Sequence, residues 1–258
     1  MKKVIKSMIE LTGYTVTSKK RMDELLHHKE QRDISYPSFA QEGEDMVMRE
    51  FFEDLHQVKN GFYIDVGAFH PYRISNTAYY YLSGWRGINV EPNPISFKNF
   101  EQERPEDINL NVGVADQKGE LTYYYYGEND AGNTFSVAQK ERQLVRLKRE
   151  PQETFTIPVI DINEVFRYAN GREVDFLTID VESFELTILQ QLDFTKYRPK
   201  MILVELLHTT LANLAEDSIY QLLTSHNYGL YAHTMRTFFF KKNDMEKSRY
   251  EPDITVKI

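Results

Sequence analysis

Acidic side chains recur in this sequence where short apolar runs stop. Asp65 ends the run Gly61-Phe62-Tyr63-Ile64 and precedes Val66 and Gly67. Glu91 closes 87–91, Asp116 follows 109–115, Asp180 and Glu182 close the run that begins at Val174, and Glu205 closes 201–205, with His208 shortly after. Runs of this length, rich in β-branched and aromatic residues and bounded by glycine or proline, read as buried strands. Ligands of open α/β sheets bind beyond the carboxyl ends of the strands, so these carboxylates stand where ligand chemistry takes place. A carboxylate closing the second strand suits a ribose, because it accepts hydrogen bonds from both hydroxyls. Singly, each acid reads equally as a helix N-cap. Together they favour a nucleoside-containing cofactor.

The loop Asp65-Val66-Gly67-Ala68-Phe69-His70-Pro71 is not G-x-G-x-x-G, and the chain has no G-x-x-x-x-G-K-[ST]. A backbone cradle for a pyrophosphate or triphosphate is therefore missing. A carboxylate followed by one glycine suits a ligand with positive charge and no phosphate. S-adenosylmethionine, with its ammonium and sulfonium, meets that description. A nicotinamide-dependent oxidoreductase or sugar epimerase is the weaker alternative, and a non-catalytic scaffold with a nucleoside pocket is the reading outside enzymes. The patterns G-x-S-x-G and H-E-x-x-H are both absent, which disfavours hydrolases.

The elements that must position these groups follow from the pattern. Strands are expected over 61–66, 87–91, 109–115, 120–126, 155–160, 174–181 and 201–205. Helices are expected over 75–82 (with Ser75 as cap), 95–103, 136–149, 163–168, 184–192 and 217–226. Strands over 228–233 and 237–241 form a closing antiparallel hairpin. Strands alternating with helices imply a mostly parallel sheet covered on both faces. The reading is one α/β domain over 34–258, preceded by a helical extension over 1–33.

The 258 residues carry a net charge of −8, which argues against a nucleic-acid-binding surface. Cysteine is absent, which excludes disulfides, thiolate metal sites and cysteine nucleophiles. No apolar run approaches the roughly 18 residues of a membrane span, and the start lacks a secretory signal; a cytoplasmic protein is expected. Val4, Ile5, Met8 and Ile9 share a helical face beside Lys2, Lys3 and Lys6. Such a face within residues 1–12 suits the inner face of an anionic membrane, and equally packing on the domain or on a partner. A homo-oligomer is left open. Lys140, Arg142, Arg146, Lys148 and Arg149 read as a solvated face, or as a cationic lid over an acidic glycan, because they follow the long polar loop 127–135. The aromatic content is 13%, concentrated in Tyr79–Tyr81, Tyr123–Tyr126 and Phe238–Phe240. Strand alternation places about half of these in the core.

Over 35–205, some two-thirds of the chain, the sequence resembles the FkbM-type S-adenosylmethionine-dependent methyltransferases. The resemblance rests on SFAQEGED (38–45), FYIDVGA (62–68), HPY (70–72) with Ser75-Asn76-Thr77, and GWRGINVEPNP (84–94). It continues through NVGVAD (111–116), NTFS (133–136), DFLTIDVE (175–182), Arg198-Pro199-Lys200 and Val204-Glu205. It implies a Rossmann-like class I methyltransferase fold and O-methylation of a hydroxyl on a sugar, glycan or related natural product. It further implies that Asp65 and Gly67, with Ala68 beside them, lie against the methionine part of the cofactor. Glu91 falls on the ribose, Asp116 toward the adenine, and Asn76 at the cofactor carboxylate or as a helix cap. The chain departs from the family at Ser183, where a glycine is usual, and from the general methyltransferase pattern near Pro71, where a second glycine is usual.

Transfer to a hydroxyl needs a proton acceptor as well as alignment. Asp180 and Glu182 are the expected bases, since two close carboxylates raise one another's pKa. Holding a divalent ion is their alternative use, and no metal ligand is assigned. His208 is the next candidate and His70 the third.

Overall fold

The computed structural model describes residues 37–245 apart from 57, 117, 129, 131, 182, 183 and 208. The extension over 1–33, its face within 1–12, Glu182, Ser183 and His208 lie outside the described residues. In chain order the strands are Phe62–Val66 (β1), Arg86–Val90 (β2), Ile108–Leu110 (β3), Gly113–Val114 (β4), Gly119–Tyr125 (β5), Glu153–Ile160 (β6), Phe176–Ile179 (β7), Met201–Glu205 (β8), Tyr228–His233 (β9) and Thr237–Lys242 (β10). The helices are Glu44–Arg49 (α1), Ala78–Leu82 (α2), Pro94–Glu103 (α3), Val137–Arg142 (α4), Ile162–Tyr168 (α5), Glu185–Gln191 (α6) and Ser218–Ser225 (α7). Both α1 and α4 run on into π-helical turns, Glu50–Leu55 and Gln143–Leu147.

Seven strands form the main sheet in the order β3-β2-β1-β7-β8-β10-β9. The first five are parallel, and β10 runs antiparallel to both its neighbours. Every residue of β1 and β7 is buried, so helices and loops cover both faces of the sheet there. This is the Rossmann-like architecture expected from the sequence.

Two expectations need correction. The run 109–115 is not one strand: Ile108–Leu110 pairs with β2, whereas Gly113–Val114 joins β6 in a second, three-stranded sheet of order β4-β6-β5. Asn111 sits at the break, where its amide donates to the carbonyls of Glu91 (2.8 Å) and Pro92 (3.0 Å). The closing hairpin forms the edge of the sheet as expected, with β10 between β8 and the outermost strand β9. Phe238, Phe239 and Phe240 are all buried; successive side chains point to opposite faces, so both faces of the sheet are covered at β10 and none of the three points to solvent. Tyr79, Tyr80 and Tyr81 are likewise all buried, and Phe52, Trp85 and Phe176 pack around Tyr80 with ring centroids 4.7–6.4 Å away.

The loop from β1 to α2 rests on a buried polar cluster centred on Arg104, which is fully buried. Its guanidinium donates to Thr77 Oγ1 (2.9 Å), Asn89 Oδ1 (3.2 Å) and Ser75 Oγ (3.3 Å). Asp107 accepts from Tyr63 Oη, the Gly87 amide and Asn89 Nδ2 at 2.6–2.9 Å. Ser75 Oγ also accepts from the Ala78 amide (3.2 Å), but α2 begins at Ala78 with Thr77 at its N-cap, so the helix starts three residues later than expected and Ser75 binds its first amide from outside.

Candidate active site

Strand register assembles the site. Val66 pairs with Val90 on one side and Ile179 on the other, Ile179 pairs with Val204, and Glu205 pairs with Thr237. The next residues along, Gly67, Glu91, Asp180, Glu205 and Arg236, therefore form one row at the carboxyl end of the parallel strands. All five line a cavity of about 170 Å³. Gln41, Asn76, Asp180, Glu205 and Arg236 also line an adjoining recess of about 20 Å³. The opposite wall comes from the second sheet and its loop, with Val114, Tyr123, Asp130, Asn133 and Phe135.

Gly67 has φ +84, and a Cβ added there would lie 1.9 Å from the carbonyl oxygen of Asp180. Only glycine lets β1 turn this close to the end of β7. Glu91 is 4% exposed. One of its oxygens accepts from the Phe69 amide and the other from the Asn93 amide, both at 2.7 Å. Burial pushes its carboxyl up to about 7, against the pull of those two amides. Each oxygen keeps a lone pair for a ligand hydroxyl. Beside it Asn93 lines the cavity, and its buried Nδ2 has no hydrogen-bond partner among the described residues.

Asp180 is exposed by its accessible surface and lines both the cavity and the recess. Protein on the wider scale desolvates it, and its carboxyl is raised well above the ordinary range. After burial, the causes are the charges of Glu205 and Glu185, a hydrogen bond with Glu205, and the charge of Asp65. Asp180 and Glu205 thus form a hydrogen-bonded carboxyl pair. Arg236 stands over it, held by Glu42 through Nε (2.7 Å) and Nη2 (2.6 Å).

Two residues of the loop after β1 carry positive φ without being glycine: Phe69 at 59° and Ile74 at 52°. A β-branched side chain there is strained, and such strain collects at functional sites. Phe69 turns its amide onto Glu91, and Ile74 lines both the cavity and the recess. Ile74→Gly should raise the melting temperature of the unliganded protein by about 3 °C, the relief of about 1–2 kcal/mol of strain less the entropy of glycine. Scanning calorimetry checks this, and a lower melting temperature would show that packing of the side chain outweighs the strain.

The other residues singled out from the sequence fall elsewhere. Asp65 is buried beneath the loop, accepts from Thr77 Oγ1 (2.7 Å) and does not line the cavity; burial lifts its carboxyl to about 6. Ala68 is buried, its amide bound to the Val90 carbonyl. Asn76 donates to Thr178 Oγ1 (3.0 Å) and reaches the recess. Asp116 is exposed after β4, away from the cavity lining. His70 accepts from the Tyr72 and Arg73 amides through Nδ1 (both 3.1 Å), and burial lowers its pKa to about 4. Sequence reasoning noted Glu205 only as a strand end and gave no role to Arg236, whose place depends on the antiparallel register of β10. Among the described residues no group of three or more His, Asp or Glu side chains is arranged to hold a metal ion.

The family model of the FkbM methyltransferase domain matches residues 65–230, more than half of the chain. The chain belongs to the FkbM methyltransferase family. Its seven-stranded sheet is Rossmann-like, and its methyl donor is S-adenosylmethionine. Among solved structures, an FkbM methyltransferase from Methylobacillus flagellatus KT is similar at 13% identity and a TM-score of 0.43, over 79% of this chain and 56% of that one. This FkbM chain thus spans little more than half the length of that relative. A precorrin-6y C5,15-methyltransferase from Geobacter metallireducens GS-15 is similar at 10% identity and TM-score 0.40, over 85% of this chain and 96% of that one. An O-methyltransferase from Bacillus cereus, in complex with SAH, is similar at 9% and 0.37, over 92% and 96%. No curated protein matches the chain.

Proposed function

We propose that this methyltransferase acts on oxygen, at a hydroxyl of a sugar, glycan or related natural product. The observation that carries the reading is the Asp180–Glu205 pair, which lines both the cavity and the recess beside it. The cofactor, when bound, supplies a methyl group already activated on a sulfonium. Glu91 would take the ribose hydroxyls, Asn93 with the apolar surfaces of Val114 and Phe135 would receive the adenine, and the tight turn at Gly67 would face the methionine part. The recess is then the acceptor side. Burial and the Glu205 charge keep a proton on Asp180 at low pH; once that proton has left, the Asp180 carboxylate takes the acceptor hydroxyl proton as the oxygen attacks the methyl carbon and the sulfonium leaves as a thioether. Asn76 and Arg236 are the groups positioned to orient the acceptor.

A thermal-shift comparison should show stabilisation by S-adenosylmethionine and S-adenosylhomocysteine and none by NAD, which would sink the oxidoreductase and epimerase alternative. Methyl transfer to a panel of sugar hydroxyls and matched amines then tests the acceptor. Transfer to amines alone would overturn the assignment to oxygen, and binding without transfer to any of them would favour a scaffold.

A further inference from the structure

The helix that follows the cavity wall is built inside out. Val137 is 55% exposed, Val145 66% and Leu147 61%, with Leu144 also exposed. Among the described residues of α4 and its π-helical turn, Gln143 alone is buried. A helix that packs on its own domain buries an apolar stripe; this one buries an amide and turns its aliphatic side chains to solvent. Interleaved with them, Arg142, Arg146 and Lys148 are exposed. Residues 137–150 carry +3, with Glu141 and Glu150 counted, in a chain whose total is −8. The segment is tied to the cavity at two points. Gln143 Nε2 donates to the Gly132 carbonyl (2.7 Å), and Arg149 pairs with Asp130, a residue of the cavity wall.

We propose that this face, from Val137 to Lys148, docks on an anionic lipid bilayer. Short aliphatic side chains alternating with cations on an exposed helix match a plane of phosphates over acyl chains. The local positive charge complements the surface potential of such a membrane, while the acidic remainder is repelled from it. An acidic peptide would instead need a groove for its side chains, and Val137, Leu144, Val145 and Leu147 line neither the cavity nor the recess. Docked in this way, the helix holds the wall at Asp130 beside the membrane, so an acceptor borne on a lipid would meet the cavity at the interface.

The test is co-flotation of the full chain with vesicles of phosphatidylcholine alone and of phosphatidylcholine with phosphatidylglycerol. Binding is expected only to the anionic vesicles and should weaken as salt is raised. Arg142→Glu/Arg146→Glu should lower the partition by at least about tenfold, and Val145→Glu/Leu147→Glu should lower it comparably. Both variants should keep their thermal stabilisation by S-adenosylhomocysteine, since all four positions are on the surface. Binding that survives both substitutions places the contact elsewhere, the first 33 residues included, and overturns the proposal. So does an absence of binding. A dimer in light scattering that Val145→Glu/Leu147→Glu dissolves, with no vesicle binding, would assign the face to a second copy of the chain instead.

Discussion

Asp180→Asn is expected to lower kcat/KM for methyl transfer by roughly 10²–10⁴-fold, the usual contribution of a positioned base, with S-adenosylhomocysteine binding retained. The amide keeps the size of the side chain but cannot take up the acceptor proton. Glu205→Gln separates a base from mere polarity. In the native protein burial and the Glu205 charge hold the Asp180 carboxyl high, with Glu185 and Asp65 acting in the same sense. Arg236 is the cation near both carboxylates. Removing the Glu205 charge lets the Asp180 proton leave at lower pH. The acidic limb of the kcat/KM profile should therefore move to lower pH in Glu205→Gln, by an amount that dwarfs any change in S-adenosylhomocysteine affinity. An unmoved limb in Glu205→Gln, or near-normal turnover in Asp180→Asn, would show that some other group accepts the proton.

Much of that row of residues was legible before any coordinates. Short buried strands end abruptly, and a polar residue at each end has few other places to go; Gly67, Glu91, Asp180 and Glu205 could all be named from the ends of apolar runs. Their partnership was not legible. The sequence set Asp180 beside Glu182, two residues away, but side chains two apart on a strand-like segment differ from those that meet across neighbouring strands. Pairing Asp180 with Glu205 requires that β7 and β8 be adjacent, and placing Arg236 requires that β10 turn back between β8 and β9. Both facts belong to sheet order, which strand propensity does not encode. Asp65 shows the opposite case. It too ends an apolar run, but it lies two residues before Gly67, opposite Asn89 and Thr178, so it sits deeper in the sheet than the row and joins the polar cluster of Arg104 there. The second sheet was illegible for a related reason: 109–115 reads as one strand by composition, and only the side-chain hydrogen bonds of Asn111 reveal where the chain leaves the first sheet.

The unliganded protein should lose stability as pH rises from about 5 to about 8, and Glu91→Gln should remove a large share of that loss. In the fold Glu91 holds its proton up to about 7, against an ordinary value of 4.5. Between those values the unfolded chain binds fewer protons than the folded one, so raising pH favours unfolding. The stability linked to Glu91 is complete below 4.5 and lost as pH climbs through 7, a change of about 3 kcal/mol at most. Asp65, raised to about 6, acts with the same sign at lower pH. His70 acts oppositely: its pKa is lowered to about 4, so its contribution is complete above 6.5 and lost on acidification. Because His70 and Asp65 are common to both proteins, the difference between wild-type and Glu91→Gln denaturation curves across that range isolates Glu91, whatever constant offset the lost amide contacts add. A nucleoside whose hydroxyls donate to Glu91 favours its charged form, so S-adenosylhomocysteine should bind the wild type more tightly above pH 7 and release a proton below it. Calorimetry in buffers of different ionisation enthalpy detects that proton. Identical pH slopes in the two proteins would mean that Glu91 is already ionised in the empty fold, and that its burial is offset by the Phe69 and Asn93 amides alone.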